Sequence, residues 1–174
     1  MDAELVALSE ALGSACRTLS AGDSPSGAGQ RRLLLATAES CTGGWAAQVI
    51  THTAGSSEWF ERGFVTYSNE AKIDLLDVRP ETLQQFGAVS PETAAAMAEG
   101  ALKNSKAMIS LAITGIAGPT GGSPGKPVGT VCFAWCRVGQ TADTETRVFA
   151  GDREAVRRQA VIHALQGLLL RLDT

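Results

Sequence analysis

The chain has 174 residues and a formal net charge of −3, with 44% hydrophobic and 19% charged residues. This composition is typical of one globular domain with a buried core, and it excludes a largely disordered chain. The acidic balance excludes a general nucleic-acid-binding surface, and no apolar run reaches the roughly 18 residues of a membrane span. The N-terminus carries no signal-peptide pattern. We therefore expect a single cytoplasmic domain over 1–174 with no nucleic-acid or membrane partner.

The first half of the chain alternates helices with strands. Apolar spacing predicts an amphipathic helix, a flexible Gly/Ser-rich connector, a buried strand, a helix, and a second strand with a break at Gly63. The corresponding ranges are 3–20, about 21–30, 32–38, 42–51 and 60–67.

The second half continues this alternation and then changes. Ser68 or Asn69 is expected to cap a short helix that ends at Leu76, and Ser90 followed by Pro91 is a strong helix start. The remaining predictions are short helices at 80–86 and 90–104, strands at 107–114, 128–138 and 144–150, and a helix at 152–172 capped by Asp152.

This order of elements predicts the fold class. Strands that alternate with helices favour a parallel sheet covered on both faces. The two late strands, joined by a turn near Gly139, are expected to pair antiparallel. The sequence therefore predicts an α/β fold: a three-layer α/β/α sandwich with a mixed, mostly parallel sheet.

The four cysteines and two histidines do not form a metal-binding pattern. Cys16, Cys41, Cys132 and Cys136 include no CxxC pair, and His52 and His163 have no clustered partners. We expect no metal, no cofactor and no disulfide, with three of the cysteines acting as small buried hydrophobic residues.

A hydroxyl-rich turn follows the first strand and is the most informative segment. Ser40, Cys41 and Thr42 are three potential nucleophiles at the carboxyl end of a strand, where α/β proteins bind ligands. Gly43 and Gly44 allow a backbone to approach a phosphate or an oxyanion closely. The alternative is a plain turn in which Thr42 caps the next helix.

A lysine follows the second strand in a position that suits a general base. Lys72 lies in the first turn of its predicted helix, where the helix dipole is expected to lower the lysine pKa. A serine nucleophile needs such a base, and no histidine lies nearby in the sequence, so a Ser-Lys pair is favoured over a Ser-His-Asp triad. Tyr67 is expected to orient the lysine, relay a proton or stack on an aromatic substrate. The alternatives are a solvated surface lysine and an amphipathic tyrosine.

Two further segments are candidates for anion binding. The Gly-rich loop at 114–122 is not a Walker A or Rossmann motif, but its backbone N–H groups can form a nest for phosphate. Lys126 follows this loop, and if the loop binds a phosphate, we expect the Lys126 amine to reach the same phosphate. Arg153 and Arg157, one turn apart at the start of the last helix, suit a phosphate. The alternative for the loop is a wide turn between strands. The alternative for the arginines is ion pairing with Asp152 and Glu154, together with a Glu154–Arg158 pair.

Taken together, these motifs resemble the CinA C-terminal domain family over about residues 33–172. The resemblance rests on AESCTGG at 38–44, GFVTYSNEAK at 63–72, TGIAGP at 114–119 and GDR at 151–153, with shorter matches at 55–60, 87–90 and 126–131.

The resemblance implies a stand-alone amidase of pyridine-nucleotide salvage that hydrolyses nicotinamide mononucleotide to nicotinate mononucleotide and ammonia. It implies Ser40 as nucleophile, Lys72 as base, Tyr67 as a supporting group, no metal, and a homodimer or higher homo-oligomer. The expected substrate-binding residues are Cys41, Thr42, Gly43, Gly44, Thr114, Gly115, Ile116, Ala117, Gly118, Arg153 and Arg157.

Several alternatives stay open at this point. The same motifs suit a nucleotide-binding regulator without hydrolysis, an amidase for a different amide, or a structural partner of a larger system. Without the resemblance, the residues alone do not decide between Ser40 and Cys41 as nucleophile.

Overall fold

The structure, a computed structural model, describes residues 2–22 and 32–172. The first half contains helix α1 (Ala3–Gly22), strand β1 (Leu35–Glu39), helix α2 (Trp45–Ile50), a 3-10 turn (Ser56–Glu58), strand β2 (Phe60–Val65), helix α3 (Asn69–Leu76) and helix α4 (Pro80–Phe86). The second half contains helix α5 (Pro91–Lys103), strands β3 (Ile109–Gly115), β4 (Thr130–Arg137) and β5 (Asp143–Val148), and helix α6 (Arg153–Leu172). Residues 21–22 of the expected connector end α1, and its remainder at 23–30 lies outside the described residues.

Within the described residues the strands form one five-stranded sheet in the order β2-β1-β3-β4-β5. β1 pairs in parallel with β2 and β3, whereas β4 pairs antiparallel with both β3 and β5. Four strands therefore run in one direction and β4 runs against them. This arrangement confirms the predicted mixed, mostly parallel sheet.

The two faces of the sheet bury side chains of different size. On β4, Val131, Phe133 and Trp135 pack with α1, α2 and α6, whereas Cys132, Ala134 and Cys136 pack with α5. The period-2 alternation of strand side chains separates these two sets. Small residues on the second face let α5 approach closely. The result is the three-layer arrangement that the sequence predicted.

The predicted break at Gly63 was wrong. β2 continues through Gly63, which pairs with Thr37 of β1, and the irregularity in the register lies earlier, opposite Leu35 and Ala36. A Cβ at residue 63 would lie 2.8 Å from the Thr37 hydroxyl oxygen. Gly63 is therefore explained by close packing rather than by a turn.

The parallel strands place three chain segments at one edge of the sheet. Glu39 at the end of β1 is in register with Val65 of β2 and Ile113 of β3. The residues that follow each strand therefore meet at this carboxyl edge, as expected for an α/β ligand site.

Candidate active site

Ser40 is held at the carboxyl edge by an extension of the sheet. Its backbone N–H donates to the carbonyl of Ile113 (2.9 Å), and the N–H of Thr66 donates to the carbonyl of Glu39 (2.8 Å). These two bonds continue the parallel ladders one residue beyond the strands. They fix the Ser40 and Thr66 backbones side by side, with Ser40 only 8% exposed.

The Lys72 amine lies directly against the Ser40 hydroxyl. Lys72 Nζ is 3.0 Å from Ser40 Oγ and 2.9 Å from the Thr66 carbonyl oxygen. It is also 3.4 Å from the carbonyl oxygens of Tyr67 and Ser68. Each of these partners is uncharged. Among the residues that the structure describes, the Lys72 amine thus has one hydroxyl and three carbonyl oxygens, but no carboxylate oxygen, within hydrogen-bond distance.

Lys72 lies at the predicted position in its helix, but the main cause of its lowered pKa is not the one that the sequence suggested. Ser68 caps α3 by accepting the N–H of Ala71 (3.0 Å), which puts Lys72 in the first turn. Lys72 is 1% exposed. Burial lowers the Lys72 pKa, and the nearby Cys41 and Glu70 oppose this shift. Desolvation of the charged form is therefore the dominant effect, where the sequence suggested the helix dipole.

Glu39 organises the turn behind Ser40. This fully buried carboxylate accepts hydrogen bonds from the Thr42 hydroxyl (2.7 Å) and from the N–H groups of Gly44 (3.1 Å), Ala46 (3.0 Å) and Ala47 (2.9 Å). A carboxylate at a helix N-terminus satisfies unpaired N–H groups and complements the dipole. Glu39, rather than Thr42, therefore caps α2, and the interpretation of Thr42 as the cap was wrong.

Cys41 lies in an apolar environment that disfavours its thiolate. The residue is 6% exposed, and burial raises the pKa of its thiol to about 12. A cysteine nucleophile reacts as thiolate, which requires a lowered pKa. The geometry favours Ser40, whose hydroxyl contacts an amine, over Cys41 as the nucleophile.

Two arginines of α6, Arg153 and Arg157, bind different parts of the site. Arg153 donates to the Gly118 carbonyl (2.9 Å) and to the Tyr67 hydroxyl (2.8 Å). Arg157 donates to the carbonyls of Cys41 (3.0 Å) and Thr42 (2.9 Å). The suggested Glu154–Arg158 pair is not the one formed, since Arg158 pairs with Asp2, which precedes α1, and with Glu4 in its first turn.

Tyr67 extends from the carboxyl edge into solvent. Its side chain is 60% exposed, and its hydroxyl binds Arg153. The contact of Tyr67 with Lys72 is made by the backbone carbonyl, not by the phenol. The phenol ring therefore stands at the mouth of the site, free on its faces to contact a ligand.

The Gly-rich loop reaches the site through its first residues. The Thr114 hydroxyl donates to the Ala88 carbonyl (2.7 Å), and Gly115 packs against β4 so closely that a Cβ would lie 2.8 Å from a Val131 methyl group. Ile116 is half-buried, Ala117 and Gly118 are buried, and the Gly118 carbonyl meets Arg153.

Lys126 lies beyond this part of the loop. Its amine donates to the Phe86 carbonyl (3.0 Å), which gives it a local role at the end of α4. The structure thus brings Thr114 through Gly118 next to Arg153 and Tyr67, and it places Lys126 at the neighbouring turn.

One site feature escaped the sequence analysis. The Thr66 carbonyl oxygen is the shortest contact of the Lys72 amine. The signal for it was the spacing, since Lys72 follows Thr66 by six residues and so lies in the next helix. Glu39 was a candidate hydrogen-bond acceptor or surface acid in the sequence, and its four hydrogen bonds confirm the acceptor role.

The two histidines lie apart from this site. His163 binds Glu145 (3.0 Å) and packs its ring edge against Phe133 (4.7 Å between centroids), while His52 is exposed. Over residues 2–22 and 32–172, no three His, Cys, Asp or Glu side chains are grouped as a metal site would require. In the same part of the chain no helix is long and apolar enough to cross a membrane.

Comparison with known proteins shows the family of this chain. The model of the CinA C-terminal domain family matches residues 23–172. The nicotinamide-nucleotide amidohydrolase PncC of Escherichia coli K12 is 53% identical over 167 residues, covering 96% of this chain and 94% of that protein. The protein of the same name from Pseudomonas putida is 56% identical over 133 residues, covering 76% of this chain and 82% of that protein.

Solved structures give the same result for the fold. The competence/damage inducible protein CihA of Agrobacterium tumefaciens aligns with a TM-score of 0.88 and 40% identity, covering 100% of this chain and 98% of that one. A competence or damage-inducible protein from Enterobacter asburiae aligns with a TM-score of 0.85 and 40% identity, covering 97% and 98%.

Proposed function

This chain belongs to the CinA C-terminal domain family, and we propose that it is a nicotinamide-nucleotide amidohydrolase that uses a Ser40–Lys72 pair. The reaction converts nicotinamide mononucleotide and water to nicotinate mononucleotide and ammonia, a step of NAD salvage. The single observation that carries the mechanism is the 3.0 Å contact between Lys72 Nζ and Ser40 Oγ, both of which belong to buried residues.

Burial prepares Lys72 to accept a proton. A serine hydroxyl is a weak nucleophile until a base removes its proton. Because burial lowers the Lys72 pKa, the neutral amine is more accessible than for a surface lysine. The three carbonyl oxygens around Nζ then receive the N–H bonds of the ammonium that forms when Ser40 is deprotonated.

The proton and bond changes balance over two half-reactions. Ser40 Oγ attacks the carboxamide carbon while its proton moves to Lys72, and the tetrahedral intermediate collapses as Lys72 returns the proton to the leaving nitrogen. Ammonia departs and leaves the nicotinoyl group of the nucleotide as an ester of Ser40 Oγ. Water attacks this ester and gives a proton to Lys72, which passes it to the departing Ser40 Oγ, so that nicotinate mononucleotide is released and the serine is restored.

Backbone N–H groups beside Ser40 stabilise the developing oxyanion. The N–H groups of Ser40, Gly43 and Gly44 already donate to the protein. In the described part of the chain, those of Cys41 and Thr42 donate to no other residue. These two are therefore the donors that the tetrahedral oxygen meets.

Arg153 and the loop at 114–118 complete the substrate-binding site. The Arg153 guanidinium lies between the Gly118 carbonyl and the exposed Tyr67 hydroxyl, at the solvent side of the nucleophile. A phosphate there gains charge-assisted hydrogen bonds from Arg153. The exposed ring of Tyr67 offers a face to the positively charged pyridinium ring.

We further propose that the protein acts in the cytoplasm as a homodimer or higher homo-oligomer. Two strands lie at the sheet edges, and β2 exposes Val65 beside the site. Size-exclusion chromatography with light scattering tests the assembly, and a mass of one chain contradicts it.

The proposed reaction is tested by measuring ammonia release from nicotinamide mononucleotide in the presence of EDTA. Nicotinamide riboside and free nicotinamide serve as controls without the 5′-phosphate. The proposal expects release from the mononucleotide and much slower release from the other two. Release from another amide in preference indicates an amidase of different specificity. A thermal shift with the mononucleotide but no release would instead indicate a nucleotide-binding regulator.

A further inference from the structure

The turn that contains the Cys41 and Thr42 N–H groups is held from both sides. On one side the Glu39 carboxylate accepts from the Thr42 hydroxyl and from the start of α2. On the other side Arg157 donates to the carbonyls of Cys41 and Thr42. The two arms of one guanidinium thus bind two consecutive peptide groups of the turn that follows Ser40.

A carbonyl held in this way fixes the N–H of the same peptide group. The peptide unit is planar, with its C=O and N–H pointing in opposite directions. The Cys41 carbonyl shares a peptide plane with the Thr42 N–H. When Arg157 binds that carbonyl, it therefore sets the direction of the Thr42 N–H, and its positive charge polarises the group so that the N–H is a stronger donor.

The Arg157 side chain is itself fixed. It is half-buried, and its guanidinium lies over the Trp45 ring at 5.5 Å from the centroid. Trp45 is the first residue of α2, so helix α2, the turn and helix α6 are joined through one side chain. With these contacts made, Arg157 is engaged with the protein, whereas Arg153 faces the exposed phenol.

We propose that Arg157 is a positioning residue that aligns and polarises the Thr42 N–H for the oxyanion, and is not a phosphate ligand. This inference rests on the proposed amidase function. It separates the roles of Arg153 and Arg157, which the sequence had grouped together: Arg153 contacts the substrate, and Arg157 acts through the backbone of the turn.

The test compares Arg157→Ala and Arg157→Lys with Arg158→Ala, a control at the next position whose side chain binds Asp2 and Glu4 instead. For Arg157→Ala we expect kcat for nicotinamide mononucleotide to fall about 10- to 100-fold, since small misplacements of catalytic groups have effects of this size. KM is expected to change by less than about threefold, because the interaction is made in the transition state. Arg157→Lys keeps the charge but not the two-armed geometry, so its kcat should lie between those of the wild type and Arg157→Ala.

Two readouts separate positioning from a general structural defect. The apparent pKa in the pH–rate profile should match that of the wild type, because Lys72 is untouched. Added methylguanidinium should restore part of kcat in Arg157→Ala and leave Arg158→Ala unchanged. A raised KM with unchanged kcat would overturn the inference in favour of phosphate binding, and so would an unchanged kcat. If Arg157→Ala fails to fold, Arg157→Lys provides the same test.

A measurement that does not need turnover keeps this inference separate from the proposed function. Backbone ¹⁵N relaxation reports the order of Cys41, Thr42 and Gly43 in each variant. Order parameters should fall at these residues in Arg157→Ala and stay at wild-type values in Arg158→Ala. If the wild type releases no ammonia, the proposed function fails while this readout still decides the positioning role. Unchanged order parameters in Arg157→Ala overturn that role.

Discussion

Two cationic regions of the molecule show opposite uses of a positive charge. Lys72 is buried at the carboxyl edge, where its amine contacts one hydroxyl and three carbonyl oxygens. Arg158 lies at the surface between Asp2 and Glu4, and its ion pairs join α6 to α1. Burial lowers the Lys72 pKa, whereas the two carboxylates raise the Arg158 pKa.

The difference shows what makes a cation chemically useful. A charge paired with carboxylates stays protonated and serves as a link between helices. An ammonium group that is buried without an ion-pair partner has a lowered pKa and gives up its proton more readily. The same comparison predicts where substitutions affect activity and where they affect stability alone.

The largest expected effect is the loss of the buried amine. Lys72→Met should lower kcat about 1,000-fold or more, because general-base catalysis contributes about 10²- to 10⁴-fold. Stability should be maintained or increased, since the variant no longer buries an ionisable group. Ammonia release and thermal unfolding measure the two effects. Activity within about tenfold of the wild type would show that Lys72 is not the base.

The pH dependence should reveal the same group. Below the Lys72 pKa, kcat/KM should rise about tenfold per pH unit, and it should level off below the ordinary lysine value of 10.5. In the window between the folded and unfolded pKa values the unfolded chain binds more protons, so stability should increase with pH. Chemical denaturation across this window measures the rise. If the stability of Lys72→Met rises with pH in the same way, another titrating group causes the rise.

Removal of the turn's carboxylate should mainly cost stability. Glu39→Ala leaves the Thr42 hydroxyl and three N–H groups without their acceptor. We expect a loss of about 2–4 kcal/mol in the free energy of unfolding, from the charged hydrogen bonds and the lost helix cap. Glu10→Ala, on an exposed face of α1, is a matched control and should change stability by less than about 0.5 kcal/mol. Equal effects in both variants would contradict the role of Glu39.

The surface ion pairs should give the smallest effect. Arg158→Ala should lower Tm less than Glu39→Ala does, and the difference from the wild type should shrink at high salt, because exposed ion pairs are screened. Its kcat should equal that of the wild type. A large salt-independent loss would mean that Arg158 contributes packing beyond its charge.

The sequence predicted those features that depend on neighbouring residues. The Ser68 and Ser90 caps, the antiparallel pair β4–β5 and the buried cysteines follow from local patterns, and the structure confirms them. The meeting of Ser40 with Lys72 was expected from the rule that parallel strands share a carboxyl edge. Their chemical roles remain predictions.

Features that depend on distant contacts were not predictable in the same way. Gly63 was interpreted as a break because its packing against Thr37 of a neighbouring strand has no local signal. Arg153 and Arg157 were grouped by their helical spacing, but the loop and the turn that they contact lie 35 and more than 100 residues away. Two arginines one helical turn apart therefore have different partners, and these partners are determined only when the sheet is assembled.

The most direct test of the account compares two neighbouring nucleophile candidates under one assay. Ammonia release from nicotinamide mononucleotide is measured for the wild type, Ser40→Ala and Cys41→Ala, with substrate binding followed by thermal shift. The account predicts no release from Ser40→Ala with binding retained, and release by Cys41→Ala within about tenfold of the wild type, since its thiol stays protonated and only packing changes. Turnover by Ser40→Ala at the wild-type rate, or loss of turnover in Cys41→Ala alone, would contradict the Ser40–Lys72 mechanism.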